Sequence, residues 1–122
     1  MTETASSVRL GEIIQEFDLE ILRKGPDYEN VPLRTLDVNR PGLPLTGFFE
    51  HFDTERLLLI GLTESTYVNG MTPQQRRDSF DRLLSYPVPA LILTRGLEPT
   101  RECMEMADKH DRTILRTHVR TS

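Results

Sequence analysis

The run Leu57-Leu58-Leu59-Ile60, closed by Gly61, constrains the fold more than any other stretch of the chain. Its four apolar residues show no polar alternation, so the segment is expected to be buried on both faces. Strands of that kind belong to a parallel sheet covered by helices. Ala90–Leu93 repeats the pattern after Pro87 and Pro89. Between the two runs lie helix signals. Thr63–Val68 reads as a short helix that stops at Asn69-Gly70. Thr72-Pro73-Gln74-Gln75 then starts another: Thr72 caps, Pro73 suits the first turn, and Gln75 completes a capping box. Phe80, Leu83 and Leu84 form its apolar stripe, with Arg76, Arg77 and Asp78 off it.

The flanks continue the alternation. Leu10, Ile13, Ile14 and Phe17 share one helical face, with Ser7 as the expected N-cap, and Leu19–Leu22 is short enough for a strand. Lys24-Gly25-Pro26-Asp27 breaks the pattern, and Val31–Asp37 reads as extended into the turn Asn39-Arg40-Pro41-Gly42. Leu45, Phe48, Phe49 and Phe52 return to helical spacing. Pro99 is expected to open a last helix carrying Cys103, Met106, Ala107 and His110 on one face, and Thr113–Val119 is β-prone. The expectation is one α/β domain over residues 1–122, with a mainly parallel or mixed sheet of about four or five short strands flanked by helices.

Charge and cysteine count remove several classes of function. There are 15 Lys+Arg against 19 Asp+Glu, a net charge of −4, which argues against the basic face that nucleic acid requires. The single Cys103 cannot form an internal disulfide, and no Cys/His spacing suits zinc. No apolar run of about 18 residues is present, and the opening MTETASSVRLGE has no signal-peptide core. A cytoplasmic protein with neither nucleic-acid nor membrane partners is expected.

The motifs for phosphate cradles, G-x-x-x-x-G-K-[ST] and G-x-G-x-x-G, are missing, as are G-x-S-x-G and H-E-x-x-H. His51 reads as a helix-surface residue, His110 as a complement to a helix C-terminus, and Cys103 as a buried, inert thiol. Glu98, Glu102 and Glu105 read as a solvated acidic helix edge. Neither a catalytic nor a metal-binding residue is assigned. One candidate site remains. In Asp37–Phe48 a strand runs through a Pro-Gly turn into a helix start, where free N–H groups beside Arg40 suit an anion. The candidate ligands are Asn39, Arg40 and Gly42, with Glu64 from the second strand-to-helix loop, Gly61-Leu62-Thr63-Glu64. The competing reading makes both segments ordinary turns, with Arg40 paired to a carboxylate such as Asp37.

Asn39-Arg40-Pro41-Gly42-Leu43-Pro44-Leu45-Thr46-Gly47-Phe48-Phe49 resembles the N-terminal domain of the HPr kinase/phosphorylase family. So do Gly61–Tyr67, the VPALILTR strand from Val88 to Arg95 with Gly96, the closing Leu115–Ser122, and the opening VRLGEIIQEFDLEIL. The resemblance implies a bacterial, bifunctional enzyme of carbon-source regulation that phosphorylates a serine of HPr with ATP or pyrophosphate, reverses that step by phosphorolysis, forms hexamers and needs magnesium. In that family the chemistry belongs to a C-terminal P-loop domain, none of whose motifs has a counterpart here. The resemblance therefore implies a non-catalytic regulatory or assembly domain, excised from a longer chain, with no cofactor of its own. Its implied partners are its own kinase domain, neighbouring subunits and, through the kinase domain, HPr.

The family's N-terminal domain is also similar to the small N-terminal domain of the Mur ligases, which holds a uridine nucleotide-sugar; Asp37, Asn39-Arg40, Gly42 and Phe48 loosely echo that pattern. The alternative is a free-standing module binding a phosphorylated metabolite or nucleotide. A third reading, a small enzyme, would have Glu64 and His51 as its acid–base pair.

Overall fold

The computed structural model describes residues 8–33, 38–39 and 56–119. Among these, β1 (Val8–Arg9) leads directly into α1 (Leu10–Glu16), and β2 (Glu20–Arg23) follows. A single 3-10 turn at Tyr28–Asn30 precedes β3 (Pro32–Leu33) and β4 (Val38–Asn39). Next come β5 (Leu57–Ile60), α2 (Leu62–Asn69), α3 (Pro73–Ser85), β6 (Leu91–Leu93), α4 (Arg101–His110) and β7 (Ile114–Arg116).

The expected α/β architecture is present, and its sheet is mixed. Five of the described strands form one sheet in the order β2-β7-β6-β5-β4. β4 to β7 are parallel, while β2 is antiparallel to β7 with a register shift between Ile21 and Arg23. β1 and β3 form a separate antiparallel pair. The unalternating apolar runs are buried on both faces, as two clusters show. Leu58, Ile60, Leu91, Leu93 and Ile114 point to the side covered by α3 and α4, where they meet Phe80, Leu83, Leu84, Cys103 and Ala107. Leu57, Ala90, Ile92 and Leu115 point to the opposite side, against Leu10 of α1 and Leu33 of β3.

Local chemistry sets the helix ends. Thr72 Oγ1 accepts from Gln75 N–H at 3.2 Å, and Thr72 N–H donates to Gln75 Oε1 at 2.9 Å, which is the expected capping box. The last helix starts differently from expectation. Pro99 does not open it: Arg101 is its first residue and Thr100 its cap, with Oγ1 accepting from Cys103 N–H at 3.1 Å. α1 begins after Arg9, whose N–H donates to Glu12 Oε1 at 3.0 Å; Ser7 lies outside the described residues. Phe17 is not part of the core. The helix stops at Glu16, so Phe17 leaves the apolar stripe and is 63% exposed. The helix expected around Leu45–Phe52 also lies outside the described residues.

Candidate functional site

The carboxyl ends of β4 and β5 lie side by side, because Asn39 pairs with Leu58 in parallel register. The two loops singled out in the sequence therefore leave the same end of the sheet from neighbouring strands. Of the four candidate ligands, Asn39 closes β4, and Arg40 and Gly42 lie outside the described residues. Glu64 is buried in the first turn of α2, where its Oε1 accepts from Gly61 N–H at 2.9 Å. That bond gives Glu64 a capping role. Its carboxylate also puts a negative charge at the helix end that an anion would need. His51 lies outside the described residues, so the structure does not place it beside Glu64.

The topology also bears on ligand binding. Ligands in open α/β sheets sit where successive crossovers diverge and open a crevice. Here β4, β5, β6 and β7 are neighbours in sequence order, so among the described strands no such divergence occurs.

Further along the same sheet end is a charged cluster that the sequence reading did not assemble. Arg116 Nε and Nη2 donate to the two oxygens of Glu20 at 3.0 Å each, and Nη1 donates to Glu98 Oε2 at 3.1 Å. The hydrogen bonds from Arg116 hold the Glu20 carboxyl below its ordinary range, and Glu20 in turn raises the Arg116 guanidinium. His118 Nε2 lies 3.7 Å from Glu20 Oε1, and its ring rests on Gly96. Gly96 has φ 67°, a backbone conformation that selects glycine; a β-carbon there would stand 2.7 Å from Nδ1 of the exposed His118 ring, which can turn aside. The antiparallel pairing of Glu20 with Arg116 creates this cluster, and no spacing rule in one sequence exposes such a pair.

Four side-chain contacts between charged or titratable groups tie α3 to α4 among the described residues. Arg76, off the apolar stripe of α3, is largely buried. Its Nε donates to Glu102 Oε1 at 3.0 Å, and its Nη1 donates to the carbonyls of Val68 at 3.2 Å and Met71 at 2.8 Å, at the end of α2. The expected acidic edge is likewise paired. Glu102 is buried against Arg76, Glu105 accepts from Arg77 at 3.0 Å, and Glu98 meets Arg116. His110 Nε2 sits 2.6 Å from Asp81 Oδ1, which also accepts from Lys109 Nζ at 3.0 Å. Cys103 is buried, and burial pushes its thiol up to about 12, so it lacks the thiolate a nucleophile needs. Among the described residues no group of three or more His, Cys, Asp or Glu is placed to hold a metal ion. None of the described helices is long and apolar enough to cross a membrane.

Residues 8–122 match the family described as HPr Serine kinase N terminus. The chain belongs to that family. Among its relatives, the HPr kinase/phosphorylase of Caldicellulosiruptor bescii is 40% identical over 113 residues, covering 93% of this chain and 36% of its own length. That of Clostridium perfringens strain SM101 is 38% identical over 115 residues, covering 94% and 37%. The chain thus spans about a third of the length of the curated HPr kinase/phosphorylases it matches. A solved structure of the CBS and DRTGG domains from the regulatory region of C. perfringens pyrophosphatase, complexed with the activator diadenosine tetraphosphate, is similar in fold. It has a TM-score of 0.60 at 16% identity, over 98% of this chain and 44% of that one.

Proposed function

We propose that this chain serves as one non-catalytic, regulatory and assembly domain of a cytoplasmic, bifunctional HPr serine kinase/phosphorylase acting in bacterial carbon-source regulation. The observation that carries this reading is the relation between the two coverages: 93% of the chain aligns with 36% of a relative named for both activities. The absence from the sequence of any phosphate-cradle motif supports leaving the chemistry elsewhere. In this reading ATP or pyrophosphate and magnesium act on a C-terminal kinase domain, HPr docks there, and the present domain contacts that domain and its neighbours in a homo-hexamer.

The test compares a full-length protein with one lacking residues 1–122, and adds the isolated chain. The isolated chain should transfer no phosphate to HPr from ATP or pyrophosphate. The shortened enzyme should retain transfer but change its oligomeric state or its response to metabolites. Serine phosphorylation of HPr by the isolated chain overturns the reading.

A second reading keeps a small anionic metabolite or nucleotide at the Asn39–Gly42 turn. It rests on Asn39, which closes β4 in parallel register with Leu58 of β5, the strand from which Gly61–Glu64 leaves. The similar fold found with diadenosine tetraphosphate makes nucleotides the first ligands to try. A nucleotide at a hundred times its dissociation constant should stabilise the chain by about 2.7 kcal/mol in a thermal-shift assay. Arg40→Ala should abolish that shift, and an undiminished shift removes the turn from consideration.

A further inference from the structure

A groove of about 470 Å³ opens at the amino end of the parallel strands, opposite the loops considered above. Its walls come from Gly25-Pro26 after β2, Val31-Pro32 at β3, Pro87-Val88-Pro89 before β6, and Asp111-Arg112-Thr113 before β7. The volume falls within the range of small-molecule sites, roughly 300–1,000 Å³. Four of the lining residues are prolines, which bring apolar ring surface and no backbone N–H.

Most of the other backbone donors are already committed. Gly25 N–H donates to Thr113 Oγ1, Val31 to the Tyr28 carbonyl, Val88 to Tyr86, and both Asp111 and Arg112 to Ala107. Asp111 Oδ1 accepts from Arg23 Nη2 at 3.0 Å, so its charge is compensated from outside the groove. Arg112 is different. Its Nε donates to the Leu84 carbonyl at 2.8 Å and its Nη2 reaches the Ser85 carbonyl at 3.5 Å, but no described carboxylate lies within ion-pairing distance. Burial lowers its pKa, with the charge of Asp111 opposing that effect. A guanidinium has five N–H donors, and two neutral carbonyls leave capacity for an incoming acceptor.

We propose that this groove binds a small organic anion, whose carboxylate or phosphate sits on Arg112 while its apolar body packs on the rings of Pro26, Pro32, Pro87 and Pro89. The inference does not depend on the proposed kinase context. It requires only that a charged head and an apolar body bind together. Arg112 supplies the cation, and the proline walls compete for no polar group.

The test is a ¹⁵N NMR titration of the 122-residue chain with benzoate, phenyl phosphate, inorganic phosphate and benzyl alcohol. Benzoate or phenyl phosphate should shift the Arg112 Nε–H and the amides of Gly25 and Val88, and the tighter of the two identifies the preferred head group. Benzyl alcohol and inorganic phosphate, which each lack one half of the ligand, should bind about tenfold more weakly or less. Pro87→Glu adds a repelling carboxylate at the exposed rim and leaves the Arg112 carbonyl contacts intact. It should weaken the organic anions about tenfold and benzyl alcohol, which loses only the Pro87 ring contact, clearly less. Arg112→Gln should do the same where it folds. Equal binding of benzoate and benzyl alcohol, equal binding of phenyl phosphate and inorganic phosphate, or shifts confined to residues outside the groove overturns the proposal.

Discussion

Gly25 and Thr113, 88 residues apart in sequence, are held in direct contact: the Gly25 N–H donates to Thr113 Oγ1 at 2.9 Å in a buried setting. A β-carbon on Gly25 would lie 2.8 Å from that oxygen and 2.9 Å from the Asp111 carbonyl. The Asp111 carbonyl is backbone, so turning the Thr113 side chain aside would not relieve the approach. Gly25→Ala should cost about 1–3 kcal/mol, the usual range for overpacking, read as a lower urea midpoint. Thr113→Val, which keeps the shape but removes the acceptor, should cost a comparable amount by stranding a buried N–H. Wild-type stability in Gly25→Ala would show that the two segments are loosely joined.

The capping residues give a smaller and more local effect. Thr72 and Thr100 each accept a hydrogen bond from the residue three positions on, Gln75 and Cys103. Thr72→Ala and Thr100→Ala should each lower stability by about 1 kcal/mol. Thr72→Ser and Thr100→Ser, which keep the oxygen, should recover most of it. The caps sit on different helices, so the double alanine variant should show nearly additive losses in chemical denaturation.

Arg76 and Glu102 form a 3.0 Å pair whose side chains are 17% and 9% exposed. Arg76→Met removes the cation that Glu102 and the last carbonyls of α2 share, leaving a carboxylate beside an apolar core. Arg76→Met with Glu102→Leu removes both charges. The single variant should therefore be less stable than the double, because a lone buried charge is costlier than none. Urea midpoints of the four proteins in the cycle decide the matter, and a double variant less stable than Arg76→Met contradicts the argument.

These contacts separate what was legible in the sequence from what was not. The strands at Leu57–Ile60 and Leu91–Leu93, and the capping box at Thr72 and Gln75, depend on neighbours within a few residues, and sequence pattern located them. Arg76 lies off the Phe80 stripe, and its position on the helix names no partner. Its partners come from the end of α2 and from α4, which helix packing alone brings together. Glu102 was misread as solvated for the same reason. Glu64 was legible as part of a strand-to-helix loop, but its bond to Gly61 shows the side chain serving its own helix. The Glu20–Arg116 contact depends on an antiparallel edge strand, and nothing in the Leu19–Leu22 run indicates which strand it joins.

Burial of Cys103 leads to a chemical prediction. With its thiol pushed up to about 12 by desolvation, the folded chain presents almost no thiolate at neutral pH. Ellman's reagent should label Cys103 only as fast as the protein opens, and labelling should become rapid in denaturing urea. Fast labelling in native buffer would mean that α4 leaves the sheet readily.

The ion pairs set the expected response to acid. Asp81 is held below the ordinary carboxylate range by its hydrogen bonds to His110 and then Lys109, Glu20 by Arg116, and Glu102 by its own backbone N–H and then Arg76. In each case the folded carboxyl binds its proton less readily than the unfolded one, whose pKa is about 4. The native state therefore carries fewer protons across that window, and stability falls as pH falls. The contribution should be complete above about pH 5 and lost as pH drops through the folded values below about 4. Asp81→Asn removes one such group, so it should be less stable than the native chain at neutral pH and lose less on acidification. Parallel urea titrations at about pH 7 and pH 3 measure both quantities. Equal acid sensitivity in the two proteins would show that the Asp81–His110 contact does not link folding to protonation.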